Sequence, residues 1–88
     1  MTKAVEIYTT GVCPYCIRAK ALLDKKKIAY AERRVDETPA FADEAVRRSG
    51  GRTTVPQIFI NGVHVGGCDE LYALEREKKL DALLPIPN

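Results

Sequence analysis

Cys13 and Cys16 stand three positions apart, with Pro14 and Tyr15 between them. Two thiols at that spacing serve one of two chemistries. They open and close a disulfide, or they supply half of a tetrahedral metal site. The surroundings favour the first. A strand-like run over residues 4–9 leads up to Cys13, and a helix-like run follows from Pro14. Proline suits the first helical position, because it has no N–H to leave unpaired and its φ is already helical. Cys13 then lies among the unpaired N–H groups of the first helical turn, which together with the helix dipole stabilise a thiolate. Cys16 follows one turn later, near enough to close a disulfide. A metal site would need two further ligands; Cys68 and His64 are the candidates, their spacing does not favour it, and no metal is expected.

The elements that must position these thiols are legible in outline. The helix from about Pro14 to Lys26 places Cys16, Ala19, Leu22 and Leu23 on one side, with Arg18, Lys20 and Asp24 outward. Residues 28–35 read as a second strand, polar enough to lie at a sheet edge. Thr38-Pro39 opens a second helix with Phe41, Ala42, Ala45 and Val46 as its buried stripe, and Gly50-Gly51 ends it. Residues 55–60 form a third strand, Asn61-Gly62 is a hairpin signal, and Val63-His64-Val65 returns as a fourth. Asp69 is placed to cap a helix over about Glu70 to Lys78, after which Leu80, Leu83 and Leu84 suggest a short turn packing back on the core. The order β-α-β-α-β-β-α predicts an α/β domain spanning residues 1–88: a four-stranded mixed sheet with helices on both faces, a thioredoxin-like fold.

Composition restricts the function classes. Apolar residues make up 45% and charged residues 30% of 88 residues, an ordinary globular balance. A net charge of +2 is too slight to imply nucleic acid. Residues 1–52 carry eleven Lys/Arg against seven Asp/Glu, so a mildly positive face would favour small anions. Three cysteines do not make a disulfide framework. Glu6 interrupts the first apolar run without a cleavage pattern after it, and no run is long enough to span a bilayer. A cytoplasmic monomer without nucleic-acid or membrane partners is expected, in which a CxxC pair is reactive rather than structural.

Three segments in order, Cys13-Pro14-Tyr15-Cys16, Thr54-Val55-Pro56 and Gly66-Gly67-Cys68-Asp69-Glu70-Leu71, together resemble the dithiol glutaredoxins of the CPYC class, nearest to the bacterial glutaredoxin 3 type. The resemblance covers about residues 4–84. It implies a glutathione-dependent oxidoreductase with Cys13 as nucleophile and Cys16 as resolving thiol, acting on protein disulfides and protein–glutathione mixed disulfides; ribonucleotide reductase is one candidate partner. Lowering a thiol pKa raises its thiolate fraction but lowers its nucleophilicity, with a Brønsted coefficient of about 0.4–0.5. Attack therefore gains little, whereas departure from a mixed disulfide gains more.

The same resemblance places Tyr15 beside bound glutathione and makes Pro56 a cis-proline. The backbone of Val55, with Thr54 before it, would then pair with an extended peptide in strand fashion. Gly66-Gly67 would let the backbone approach closely. Cys68, Asp69 and Glu70 would sit at a helix N-terminus cradling the γ-glutamyl carboxylate through the N–H groups of Asp69 and Glu70, with an acidic side chain meeting the ligand's amino group. Cys68 is either a reachable thiol or a small buried filler. The match has departures. Where many glutaredoxins carry Lys, three residues before the first cysteine, this chain has Thr10; Arg52 and Arg48 are the candidate replacements. Glu70 stands where many relatives have Asp. Two alternatives remain open: a redoxin recharged by thioredoxin reductase, and an iron–sulfur cluster protein, against which Pro14 weighs.

Overall fold

The computed structural model describes residues 5–83. Ala4 and Leu84, at the limits of two expected segments, lie outside that range. The elements are β1 (Val5–Thr9), α1 (Pro14–Lys25), β2 (Tyr30–Arg34), α2 (Pro39–Arg48), β3 (Gln57–Ile60), β4 (Val63–Gly66), α3 (Cys68–Arg76) and α4 (Leu80–Leu83). The sheet order is β2-β1-β3-β4. β1 runs parallel to β2, whereas β1–β3 and β3–β4 are antiparallel, which gives the mixed sheet.

Alternation along β1 assigns the two faces. Val5 and Ile7 point to one side, where they join Ala19, Leu22 and Leu23 of α1, Ile58 and Ile60 of β3, Leu71 of α3 and Leu80 of α4. Tyr8 points to the other side and packs with Phe59, Ala45 and Phe41 under α2. The four residues of α1 expected to face inward, Cys16, Ala19, Leu22 and Leu23, are its buried residues. Each large aliphatic side chain so buried stabilises by about 1.5–3 kcal/mol. That anchors the helix whose first turn carries Cys13. The stripe of α2 is less deeply covered than expected. Ala45 is buried, while Phe41, Ala42 and Val46 are half-buried, because α2 covers only one end of the sheet.

Glu6 shares the α2 face. Its carboxylate accepts hydrogen bonds from Arg48 at 2.9 and 3.1 Å and forms an ion pair with Arg33, N to O 2.9 Å. Arg48 also donates to the Tyr8 hydroxyl at 2.7 Å and lies 4.2 Å from the Phe59 ring centroid, and Tyr8 in turn donates to Glu44. The Arg48 guanidinium holds Glu6 below the ordinary carboxylate range against the opposing pull of burial, with Arg33 adding to the shift.

Several boundaries differ from the expectations: β2 begins at Tyr30 and not at residue 28, and α3 ends at Arg76 and not at Lys78. β3 begins at Gln57 and not at Val55, because the Val55–Pro56 peptide is cis and turns the chain before the ladder starts. Helix α3 begins at Cys68 with Gly67 as N-cap, so Asp69 sits in the first turn and does not cap. The reason is Glu70, whose carboxylate accepts the Gly67 N–H at 2.5 Å and supplies one half of a capping box two residues earlier, Gly67 having no side chain to supply the other. The Asn61-Gly62 turn has the expected form, with φ of 52° and 80°, the pair of positive values a tight hairpin needs.

Candidate active site

Cys13 is the N-cap of α1, in extended conformation, with Pro14 in the first turn. Its sulfur accepts the Cys16 N–H at 3.1 Å, so one of the orphan donors of the helix start is spent on the sulfur. Across the groove, Cys13 Sγ lies 3.9 Å from the Val55 carbonyl. Cys13 is 8% exposed and Cys16 1%. Burial and the adjacent Cys13 sulfur push the Cys16 thiol up to about 12, against an opposing backbone hydrogen bond from Thr10. The outer thiol is thus the one open to attack and the inner one is kept protonated.

The cis Val55–Pro56 peptide brings the segment before β3 face to face with the start of α1. One groove of about 170 Å³ lies there. Tyr15 walls it from α1; Thr54, Val55 and Pro56 form its floor; Gly67, Cys68, Asp69 and Glu70 close the far side. Of the residues singled out from the sequence as ligand contacts, these eight border a single concavity, while Gly66 is not in its lining. A side chain at Gly67 would be crowded, its Cβ lying 3.3 Å from Pro56 O and 3.2 Å from Glu70 Oε1, so that these neighbours would have to give by a few tenths of an ångström. The first turn of α3 borders this groove, and the unpaired N–H groups of a helix start favour an anion there.

Arg52 also borders the groove, with Nη2 3.8 Å from Glu70 Oε1. Arg48 does not, because it is committed to Glu6 and Tyr8 beneath α2. Of the two candidate replacements for the cation absent at Thr10, only Arg52 is in reach. Cys68 lines the groove yet is 4% exposed, and burial pushes its thiol up. Those features fit the small buried filler. His64 and Cys68 do not gather around the thiol pair, and among the described residues no group of three or more His, Cys, Asp or Glu could hold a metal ion.

Sequence reasoning missed two features. Val12 is 94%, Ile17 62% and Tyr15 53% exposed, three large apolar side chains left in water within four positions of Cys13. Gln57, fully buried, joins Thr54 to His64. Its signal was present, as the polar residue in the apolar run Val55 to Ile60, but its partners are set only by strand register.

A family model described as Glutaredoxin matches residues 5–65. The chain is 56% identical over 80 residues to Glutaredoxin 3 of Escherichia coli strain K12, covering 91% of this chain and 95% of that protein. It is 58% identical over 80 residues to a Glutaredoxin of Pseudomonas aeruginosa, at 91% and 94% coverage. The solution structure of Glutaredoxin from Brucella melitensis superposes with a TM-score of 0.80 at 57% identity, covering 94% and 89% of the two chains. A buckwheat glutaredoxin–glutathione complex superposes with a TM-score of 0.85 at 30% identity, covering 93% and 76%.

Proposed function

This chain belongs to the glutaredoxin family, and we propose that it is a cytoplasmic, single-domain, monomeric dithiol enzyme that uses glutathione to reduce protein disulfides and protein–glutathione mixed disulfides. The observation that carries the reading is the groove beside Cys13, bordered by the cis-Pro56 segment and the N-terminus of α3. A peptide with an anionic γ-glutamyl end fits both halves. The backbone of Val55 offers strand-like pairing to its centre, and the first turn of α3 offers N–H groups to its carboxylate. Arg52 supplies a cation for a second carboxylate.

In the first step the Cys13 thiolate attacks the glutathione sulfur of a mixed disulfide. A new Cys13–glutathione disulfide forms, and the protein thiolate departs and takes a proton from solvent. A second glutathione thiolate then attacks the glutathione sulfur held on Cys13, forming glutathione disulfide and releasing the Cys13 thiolate. The Cys16 N–H bond to Cys13 Sγ, at 3.1 Å, stabilises that leaving group. With a protein disulfide, the Cys13 thiolate attacks one sulfur and displaces the other; Cys16 then attacks Cys13, its proton passing to the substrate thiolate it expels, and two glutathiones reduce the resulting Cys13–Cys16 disulfide, restoring both thiols and forming glutathione disulfide. The exposed apolar side chains of Val12, Tyr15 and Ile17 support protein-sized substrates, because they offer area beyond a tripeptide.

A turnover assay on a glutathionylated peptide tests the reading, run once with glutathione and glutathione reductase and once with thioredoxin reductase as the recycling system. Turnover with the first alone is expected. Turnover with thioredoxin reductase alone would replace this reading with the redoxin alternative.

A further inference from the structure

Behind the groove lies a chain of polar groups that the chemistry above does not use. Gln57 is fully buried at the start of β3, beside Ile58, Phe59 and Ile60. Its side-chain amide reaches in two directions. Nε2 lies 3.0 Å from the Thr54 carbonyl and 3.2 Å from Thr54 Oγ1. Oε1 lies 2.7 Å from Nε2 of His64 on β4.

The first contact dictates the second. A backbone carbonyl only accepts, so the Gln57 atom facing Thr54 O is the NH₂ group and the atom facing His64 is the amide oxygen. An amide oxygen also only accepts, so Nε2 of His64 carries the hydrogen. Donation therefore runs from His64 to Gln57 to Thr54. The imidazole is itself held against Phe59, with ring centroids 4.9 Å apart and planes inclined by 35°, so core packing places the donor.

We propose that His64 is a positioning residue for the groove, acting through Gln57 to hold the Thr54 backbone, and with it Val55, opposite Cys13. The inference rests on the glutathione reading of that groove. Residues 51–56 belong to no helix or strand; the Gly51 N–H donates to the Val46 carbonyl at 2.8 Å, the Val55 carbonyl lies 3.9 Å from Cys13 Sγ, and side chains hold Arg52 and Thr54. Ser49 Oγ bonds the Arg52 N–H at 3.2 Å and the Arg52 carbonyl at 3.3 Å, and Gln57 holds Thr54. Removing the His64 donor leaves the buried Gln57 oxygen without its partner, and the amide then gains by turning away from Thr54. The groups that ligand would pair with, the N–H and C=O of Val55, follow directly after Thr54.

Charge on His64 does not switch this brace. Burial and the Arg52 charge hold its pKa below the ordinary imidazole value, and Glu70 acts in the opposite sense. Glu70 of α3 and Glu77, which follows its last residue, line the surface depression that His64 borders. Protonation adds a hydrogen at Nδ1 and leaves the Nε2–H where it was.

Two measurements test the proposal. Long-range ¹⁵N correlation spectra of the reduced wild-type protein should show His64 as the Nε2–H tautomer; an Nδ1–H tautomer overturns the proposal. His64→Phe keeps a ring on Phe59 but removes the donor. Its KM for a glutathionylated peptide should rise about three- to tenfold, with kcat within about twofold of wild type. The alkylation rate of Cys13 should not change. His64→Gln, whose NH₂ can donate to Gln57, should recover most of the loss. A folded His64→Phe with wild-type KM, or with a loss confined to kcat, overturns the proposal. Should that variant not fold, the tautomer and the KM of His64→Gln decide, and a His64→Gln KM raised as much as a full donor loss counts against it. A wild-type protein that does not turn over the peptide sinks the groove reading itself, an outcome distinct from wild-type turnover that His64→Phe leaves unaltered.

Discussion

The backbone N–H of Cys16 points at the sulfur of Cys13 across 3.1 Å, while the Cys16 thiol is buried behind it at 1% exposure. One residue thus serves the outer thiol through its main chain and keeps its own sulfur in reserve. The main-chain contact survives substitution of the Cys16 side chain, whereas the sulfur in reserve does not.

That separation predicts how the two cysteines divide the work. Cys13→Ser should lose all exchange activity. Cys16→Ser should retain turnover of a glutathionylated peptide to within about threefold, since the stabilising N–H remains, and should lose reduction of a protein disulfide. Loss of both activities in Cys16→Ser would contradict the assignment. Paired assays of the two substrates read this directly.

The raised Cys16 pKa predicts a pH signature in stability. In the unfolded chain the thiol titrates near 8.5, and in the folded protein it is pushed up to about 12. Below the unfolded value both states hold the proton and the contribution is fully present. As pH rises from there toward the folded value, only the unfolded chain ionises, and stability falls by up to about 1.4 kcal/mol per pH unit. Reduced wild type should therefore lose urea resistance between about pH 9 and pH 10 more steeply than Cys16→Ala. Parallel slopes for the two would refute the coupling.

Arg52 borders the groove, with Nη2 3.8 Å from Glu70 Oε1, and the proposed glutathione reading gives it the part of the cation absent at Thr10. Arg52→Ala should raise the KM for glutathione about three- to tenfold with little change in kcat, the pattern for a contact made equally in ground and transition states. Arg48→Ala should leave that KM unaltered and instead lower stability, because Arg48 is tied to Glu6, Tyr8 and Phe59. Steady-state kinetics alongside urea melts separate the two arginines.

Glu6 lies between Arg33 and Arg48 on the α2 face. Glu6→Gln should cost about 2 kcal/mol at neutral pH, as two guanidinium groups lose their shared carboxylate. Because the folded carboxyl is held below its ordinary value of 4.5, this contribution is present above that pH and is lost as pH falls through the lowered value. The stability gap between wild type and variant should accordingly close in acid; a gap that persists there would argue against the ion pair as its source.

Much of this protein is local and so is written in its sequence. The proline after Cys13, the 3.6-residue spacing of Cys16, Ala19, Leu22 and Leu23, and the Asn61-Gly62 turn each state a backbone preference that neighbours within a few positions enforce. They suffice for the order of elements and for the grouping of the three site segments. What the sequence leaves open depends on partners far along the chain. The antiparallel pairing of β1 with β3 and the register setting Phe59 opposite His64 determine that Gln57 reaches both Thr54 and His64. Arg48 and Arg52 are only four residues apart, yet one packs over Phe59 and the other borders the groove, a division made at the end of α2, where the chain turns. Glu70 starts its helix two residues early by reaching back to Gly67. Composition and spacing determine which chemistry is present; long-range packing decides which side chains brace it, because a side chain's partners are fixed only when distant strands come into register.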